Sequence, residues 1–232
     1  MHSIKKHDMK KVHRTRFELL LICLTLLTLL TFDSCKKNSG SNYLEFYKIN
    51  IVSPNPKATF DSIQNKYGLP IYWDYEEGNG YASGGLALSN GFLDIKTYYD
   101  NSVTKASPME LVLNSNLPDS ITVQQLRSAG LKANKPFRME GWFWSVVSIS
   151  DLKVMGDKSN GVYVTHYDDY EFHKRSTDSI KNLTDKRIDS IVIYSDSANE
   201  LQTNWEKIKL KDSAPIVMFV EDDNNRIELV IN

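Results

Sequence analysis

From Leu44 to Val52 the chain alternates imperfectly between apolar and polar residues, which predicts a strand. Asn55-Pro56 then offers an N-cap followed by a proline at the first helical position. Phe60, Ile63 and Tyr67 share one helical face, and Gly68 and Pro70 end the helix. Pro70 to Tyr75 reads as a strand and Glu76 to Gly80 as a turn. Gly84 to Tyr99 holds two apolar stretches around Ser89-Asn90-Gly91, a hairpin signal. Met109 to Leu113 predicts another strand. Thr122 and Gln125 form a capping box for a short helix, with Ile121 and Leu126 as its staple and Gly130 at its end. Strands are predicted over Gly141 to Ile149, Gly161 to Phe172 and Ser190 to Tyr194. Ser197 and Glu200 form a second capping box, opening a helix with Leu201, Trp205 and Ile208 inside and Lys207, Lys209 and Lys211 at its negative end. Ile216 to Val220 and Ile227 to Ile231 are strands joined through Asp222-Asp-Asn-Asn225, a hairpin turn whose oxygens are also a calcium-type donor set. About three short helices among eight or more strands predict an α+β domain over residues 43–232, with mostly antiparallel sheet.

The segment ahead of this domain is of another kind. Lys5, Lys6, Lys10, Lys11, Arg14 and Arg16 precede an apolar run from Leu19 to Phe32. Positive residues followed by a short apolar core have the order of a secretory signal, and Met9 offers a second start within it. Fourteen residues make a helix of roughly 21 Å, short of the roughly 30 Å hydrocarbon core of a bilayer.

Phe32-Asp33-Ser34-Cys35 follows, and it resembles the lipobox of bacterial lipoproteins, in the loose form ending Ser-Cys that Bacteroidota use. It departs from the commonest pattern at Phe32, where leucine is usual, and at Asp33, where a small residue is usual. The resemblance covers residues 1–35 and implies cleavage after Ser34, with diacylglycerol and N-acylation on Cys35. Acyl chains contribute about 0.8 kcal/mol per buried methylene, so two or three would hold the protein to a leaflet almost permanently. Residues 36–42, Lys-Lys-Asn-Ser-Gly-Ser-Asn, read as a flexible tether. Surface-displayed Bacteroidota lipoproteins tend to carry acidic residues there; Lys36 and Lys37 favour an outer-membrane anchor facing the periplasm.

Composition narrows the function classes. The 232 residues carry a net charge of −1, are 41% hydrophobic and include four Trp, twelve Tyr and nine Phe. That is too apolar for disorder and too weakly charged to bind nucleic acid through a charge field. Two cysteines make no disulfide framework. Cys23 would leave with the signal and Cys35 would carry lipid, so cysteine catalysis and thiolate metal sites drop out together.

Seven of the eighteen Asp are followed by Ser, where about two would be expected by chance. Both residues favour caps and turns, which is one explanation. The other is that Asp-Ser followed by Ile or Ala resembles the O-glycosylation sequon of exported Bacteroidota proteins. That resemblance implies acceptors at Ser62, Ser120, Ser179, Ser190, Ser197 and Ser213, each needing exposure.

Candidate chemistry is sparse. If His166 to His173 is a strand, Asp169, Glu171 and His173 share a face and could hold a divalent metal; a polar strand end is the plainer account. Asp74, Glu76 and Glu77 lie beside Tyr72, Trp73, Tyr75 and Tyr81, a combination of paired carboxylates and aromatic platforms that a glycosidase uses. Trp142 and Trp144, with Tyr98 and Tyr99, either stack on sugar rings or pack a core. Ala87 to Gly91 lacks the first glycine of a nucleophile elbow. No cofactor motif stands out. The residues therefore favour a lipid-anchored, non-catalytic envelope module that binds a protein or glycan, with a small glycan hydrolase acting through Asp74, Glu76 or Glu77 as the alternative.

Overall fold

Strand β1 (Glu45–Val52) is largely buried on both faces because it lies in the middle of a seven-stranded sheet. The computed structural model describes residues 44–78, 80–98, 105–153 and 161–232, and residues from Tyr43 to Asn232 form one compact unit. The signal-like segment, Cys35, the tether and Tyr99 lie outside the described residues.

After β1, helix α1 (Pro56–Tyr67) begins as its sequence predicts. The Asn55 side chain accepts from the Ala58 N–H, Pro56 occupies the first turn, and Gly68 closes the helix at φ +65°, a conformation glycine adopts without penalty. Strands β2 (Ile71–Gly78), β3 (Tyr81–Leu88) and β4 (Gly91–Tyr98) follow as an antiparallel meander, and β4 returns to lie parallel beside β1. β2 runs on through Glu76 and Glu77, where a turn is predicted.

The second part repeats this plan with one strand fewer. Strand β5 (Ser107–Ser115) is followed by helix α2 (Asp119–Ser128), β6 (Trp144–Ser148), a 3-10 turn over Ser150–Leu152, and β7 (Gly161–Tyr167). β7 lies parallel to β5, and β1 and β5 join the two parts antiparallel. The strand order is β2-β3-β4-β1-β5-β7-β6.

Helix α3 (Tyr170–Lys181) leads to β8 (Ile188–Ser195), helix α4 (Ala198–Trp205), β9 (Ile216–Glu221) and β10 (Arg226–Ile231). These last strands form a second sheet in the order β10-β8-β9. One core joins the two sheets, with Ile49, Leu93, Leu111 and Val164 from the large sheet, Ile191, Ile193 and Ile227 from the small one, and Phe60, Leu126 and Leu201 from the helices. Among the described residues, no helix is long and apolar enough to cross a membrane.

The α+β class stands, with four corrections. Both sheets are mixed: three of the eight strand pairs (β1–β4, β5–β7 and β8–β9) are parallel, because the first two parts close their last strand against their first and helix α4 carries the chain over from β8 to β9. Among the described residues there are four α-helices, since the predicted strand over Gly161 to Phe172 stops at Tyr167 and α3 follows. Helix α2 begins at Asp119, and Thr122 is buried inside it, its hydroxyl 2.7 Å from that of Ser115 instead of capping. β9 and β10 are not a hairpin, because β8 lies between them. The Asp222–Asn225 link crosses the end of β8, with Asp222 N–H donating to the Ser195 carbonyl and Asp196 N–H to the Asn225 side chain.

Candidate functional site

The face of the large sheet turned away from the main core carries a buried charged network. Asn50 is opposite Asp94 on β4 and Glu110 on β5, and Ser83 is opposite Lys96. Lys48 Nζ meets Asp94 at 2.8 Å, and Asp94 also accepts from the Ser83 hydroxyl at 2.7 Å. The Trp73 indole N–H donates to that hydroxyl at 3.3 Å, and the Lys48 ammonium lies 5.4 Å from the Trp73 ring. Lys96 meets Glu110 at 2.8 Å, and Asn50 donates its amide to Glu110. Burial alone would raise the Asp94 carboxyl, but Lys48 and Lys96 hold it below the ordinary carboxylate range. The pairing keeps Asp94 ionised and leaves it without the raised pKa of a general acid.

Beside this network α3 closes over the sheet through His173. The imidazole stacks on Tyr167, with ring centroids 3.5 Å apart, and meets Tyr47 edge-on at 5.2 Å. Tyr167 donates to the Tyr47 hydroxyl at 3.0 Å. Burial, then the nearby Lys181 and Lys48 charges, pushes His173 down to about 4, so the ring is neutral near pH 7.

The candidate metal set disperses on this helix. Asp169 caps α3 by accepting from the Phe172 N–H at 2.9 Å, Glu171 is exposed in the first turn, and His173 is buried. A shared face required a strand, where residues two apart align; on a helix they are turned by about 200°. His166 lies half-buried in β7, with Nδ1 3.3 Å from the Ser115 carbonyl.

Asp74, Glu76 and Glu77 all stand exposed along β2, an edge strand of the large sheet. Their positions match charges that guard a strand edge against pairing, with Tyr75 donating to Glu77 at 3.2 Å. Ser89-Asn90 is the two-residue turn of the β3–β4 hairpin, and the Asn90 amide exchanges two hydrogen bonds with the backbone of Ile188. Trp142 and Trp144 are stacked at 4.0 Å and half-buried, and Trp144 also packs against the buried cluster that holds Tyr47, Phe92 and Tyr167. Of the Asp-Ser serines, Ser62, Ser120, Ser179, Ser197 and Ser213 are exposed, while Ser190 is half-buried in β8. Ser197 takes the N-cap position of α4 but donates its hydroxyl to Asp196 at 3.1 Å, so the second capping box does not form.

The surface that the sequence reading missed is the outer face of the small sheet. Val217, Phe219, Ile227 and Leu229 turn inward, and Phe219 meets Trp205 of α4. Their neighbours turn outward: Ile216 is 66% exposed, Met218 42%, Val220 40% and Val230 50%. Cross-strand register places Met218 beside Val192 and Val220 beside Tyr194. At the β10 side Arg226 stacks on Tyr194 at 3.5 Å and pairs with Asp222 and Glu228. The result is an apolar column on β9 with a polar margin on β10. β9 is also an edge strand, and from Ile216 to Val220 it carries no charge, in contrast to β2. Ile-Val-Met-Phe-Val is an unbroken apolar run of the kind that predicts burial on both faces, so sequence alone gives no sign that one face is open.

The chain matches no protein-family model, and no curated protein resembles it in sequence. Its fold is similar to that of a hypothetical protein from Staphylococcus aureus, with a TM-score of 0.56 at 10% identity over 79% of this chain and 88% of that one. Methylmalonyl-CoA epimerase from Mycobacterium tuberculosis gives 0.41 at 13% identity over 55% of this chain and 90% of that one. A Streptomyces coelicolor methylmalonyl-CoA epimerase gives 0.43 at 11%, over 55% and 96%. The first likeness speaks for the fold alone, and the epimerase likenesses are too loose to carry a functional argument.

Proposed function

We propose that this protein is a lipid-anchored cell-envelope module that works by binding. Acylated Cys35 holds it to the outer membrane on the periplasmic side, and the small sheet takes an extended segment of a protein partner along β9. The carrying observation is the exposed column Ile216, Met218 and Val220 on an edge strand without protective charges. An added strand would pair with the free backbone groups of β9 and lay alternate side chains over this column. Arg226 and Tyr194 at the margin are residue types that anchor interfaces. A binding role is further supported by the polar groups: the lysines and carboxylates of the network neutralise each other, and the three carboxylates of the hydrolase alternative stand exposed along edge strand β2.

The anchor is tested by fractionating cells that express the wild type and Cys35→Ala. The wild type should float with the outer membrane and resist protease on intact cells, and the variant should be released. Equal release of both, or digestion on intact cells, would refute the anchor or its orientation respectively. The binding surface is tested by affinity capture from native envelopes with the wild type and Met218→Lys. A partner held by the wild type and lost at least tenfold by the folded variant supports the reading. Equal capture by both, or concentration-dependent self-association through β9, overturns it.

A further inference from the structure

A second outward apolar surface lies at one end of the large sheet. Residues 133–137 run antiparallel beside β6, with Phe137 and Val146 exchanging backbone hydrogen bonds. The chain then turns through Met139–Trp142, where the Trp142 N–H donates to the Met139 carbonyl and Gly141 has φ +82°. This tip projects side chains outward: Phe137 is 59% exposed, Met139 49% and Phe143 65%. Trp142 and Trp144 stack within it, and Phe137 meets Trp142 edge-on at 6.2 Å. The Asp168 N–H donates to the Phe143 carbonyl, which brings the first turn of α3 alongside, with Phe172 64% exposed. Arg138 is bonded to Asp168 at 2.7 and 2.9 Å, the exposed Lys135 and Glu140 carry opposite charges, and the first turn of α3 adds the exposed Asp169 and Glu171, so among the described residues no basic patch surrounds the tip.

The sheet register ties this tip to the start of the domain. Glu45 at the head of β1 is opposite Asn114, Asn114 is opposite Thr165, and Thr165 is opposite Val146. Trp144 lies two residues beyond Val146 in the direction from which the chain enters β1. The entry point and the aromatic tip therefore share one end of the sheet, separated by three strand spacings, about 14 Å. Residues 36–42 and Tyr43 span at most about 28 Å when extended. A leaflet holding Cys35 is thus within reach of the tip.

The geometry points to the bilayer surface as the occupant of this tip: Met139, Trp142, Phe143 and their neighbours enter the headgroup–acyl boundary of the leaflet that carries the Cys35 lipid. This rests on the anchor proposed above and goes beyond it. Trp and Phe favour that boundary, where apolar rings are buried while the indole N–H stays near water. The acyl chains supply the affinity. The tip supplies orientation, since a second contact away from the anchor stops the domain from swinging on its tether. With no basic patch at the tip, the contact depends on apolar insertion and is not released by added salt.

The test uses the full acylated protein in liposomes of phosphatidylethanolamine and phosphatidylglycerol, with and without brominated acyl chains. Two of the four tryptophans belong to the tip, so bromine should quench up to about half of the emission, undiminished on going from 0.1 to 0.5 M salt. Trp142→Phe with Trp144→Phe should abolish the quenching, whereas Trp73→Phe should leave it. Met139→Glu with Phe143→Glu, which alters only exposed side chains, should keep flotation with the liposomes and lose the quenching. Flotation without quenching would overturn the membrane contact while leaving the anchor standing; absence of flotation by the acylated protein would overturn both. Shielding of the tip only when envelope protein or glycan is added to pure lipid would also overturn it.

Discussion

His173 lies flat on Tyr167, the ring planes 11° from parallel, with Nε2 buried and without a hydrogen-bond partner. A neutral imidazole tolerates that position and an imidazolium does not. In the folded chain the ring titrates near 4, against about 6.5 when unfolded, so the unfolded state binds more protons between those values. The contribution to stability is complete above pH 6.5 and is lost as pH falls toward 4. Lys48 and Lys181 add to the cost of charging the ring. Discounted for partial solvent screening, the loss is about 2 kcal/mol. Thermal melts from pH 7 to 4 should show His173→Phe losing less stability than the wild type; parallel curves would assign the acid sensitivity elsewhere.

Lys48 and Asp94 are the pair most exposed to disruption. Asp94→Ala leaves a buried ammonium without its partner and should cost about 3–5 kcal/mol in urea unfolding. Lys48→Met with Asp94→Leu removes both charges and should recover most of that loss. A double variant no better than the single would mean that the network holds the sheet by more than charge pairing.

Gly85 has a packing reason to be glycine. A Cβ there would come within 2.1 Å of the Trp73 ring, which lies over the strand. Gly85→Ala should displace the indole from Ser83, lower stability by about 1–3 kcal/mol and shift the Trp73 emission. An unchanged spectrum and midpoint would contradict the close packing.

The Asp-Ser serines make a prediction about modification. If the native protein carries O-glycans, peptide mapping should find them among the exposed Ser62, Ser120, Ser179, Ser197 and Ser213, and not on Ser190, which lies in the central strand of the small sheet. An intact mass showing acyl groups alone would leave turns and caps as the reason for the motif. Local bonding already accounts for part of it, as the Ser197 hydroxyl donates to Asp196.

Local signals were legible in the chain where they sufficed. Asn55, Pro56 and Gly68 mark both ends of α1, and Ser89-Asn90-Gly91 marks the β3–β4 hairpin. Helix α3 escaped because its inward positions include His173 and Thr177, which are polar, so the apolar period that announces a helix is missing. Its only clear sign was Asp169 as a cap. Thr122 has the look of a cap because it precedes an apolar turn, yet Pro118 four residues earlier is where the helix can begin. The parallel pairings were out of reach, since they depend on which strands meet after long excursions. Lys48 and Asp94 are 46 residues apart in the chain, and nothing local foretells that they meet. The open face of β9 was hidden by the opposite problem, as a wholly apolar strand does not say which of its faces will be covered.

The central claim, that β9 receives a protein partner at the envelope, is tested most directly by placing a photo-crosslinking amino acid at position 218 of the acylated protein in living cells. A matched protein with the crosslinker at Asn65, on the exposed surface of α1, serves as the comparison. The account predicts a discrete crosslinked protein from position 218 that is absent from position 65. No crosslink at 218 in a folded, membrane-bound protein, or the same products from both positions, would contradict it.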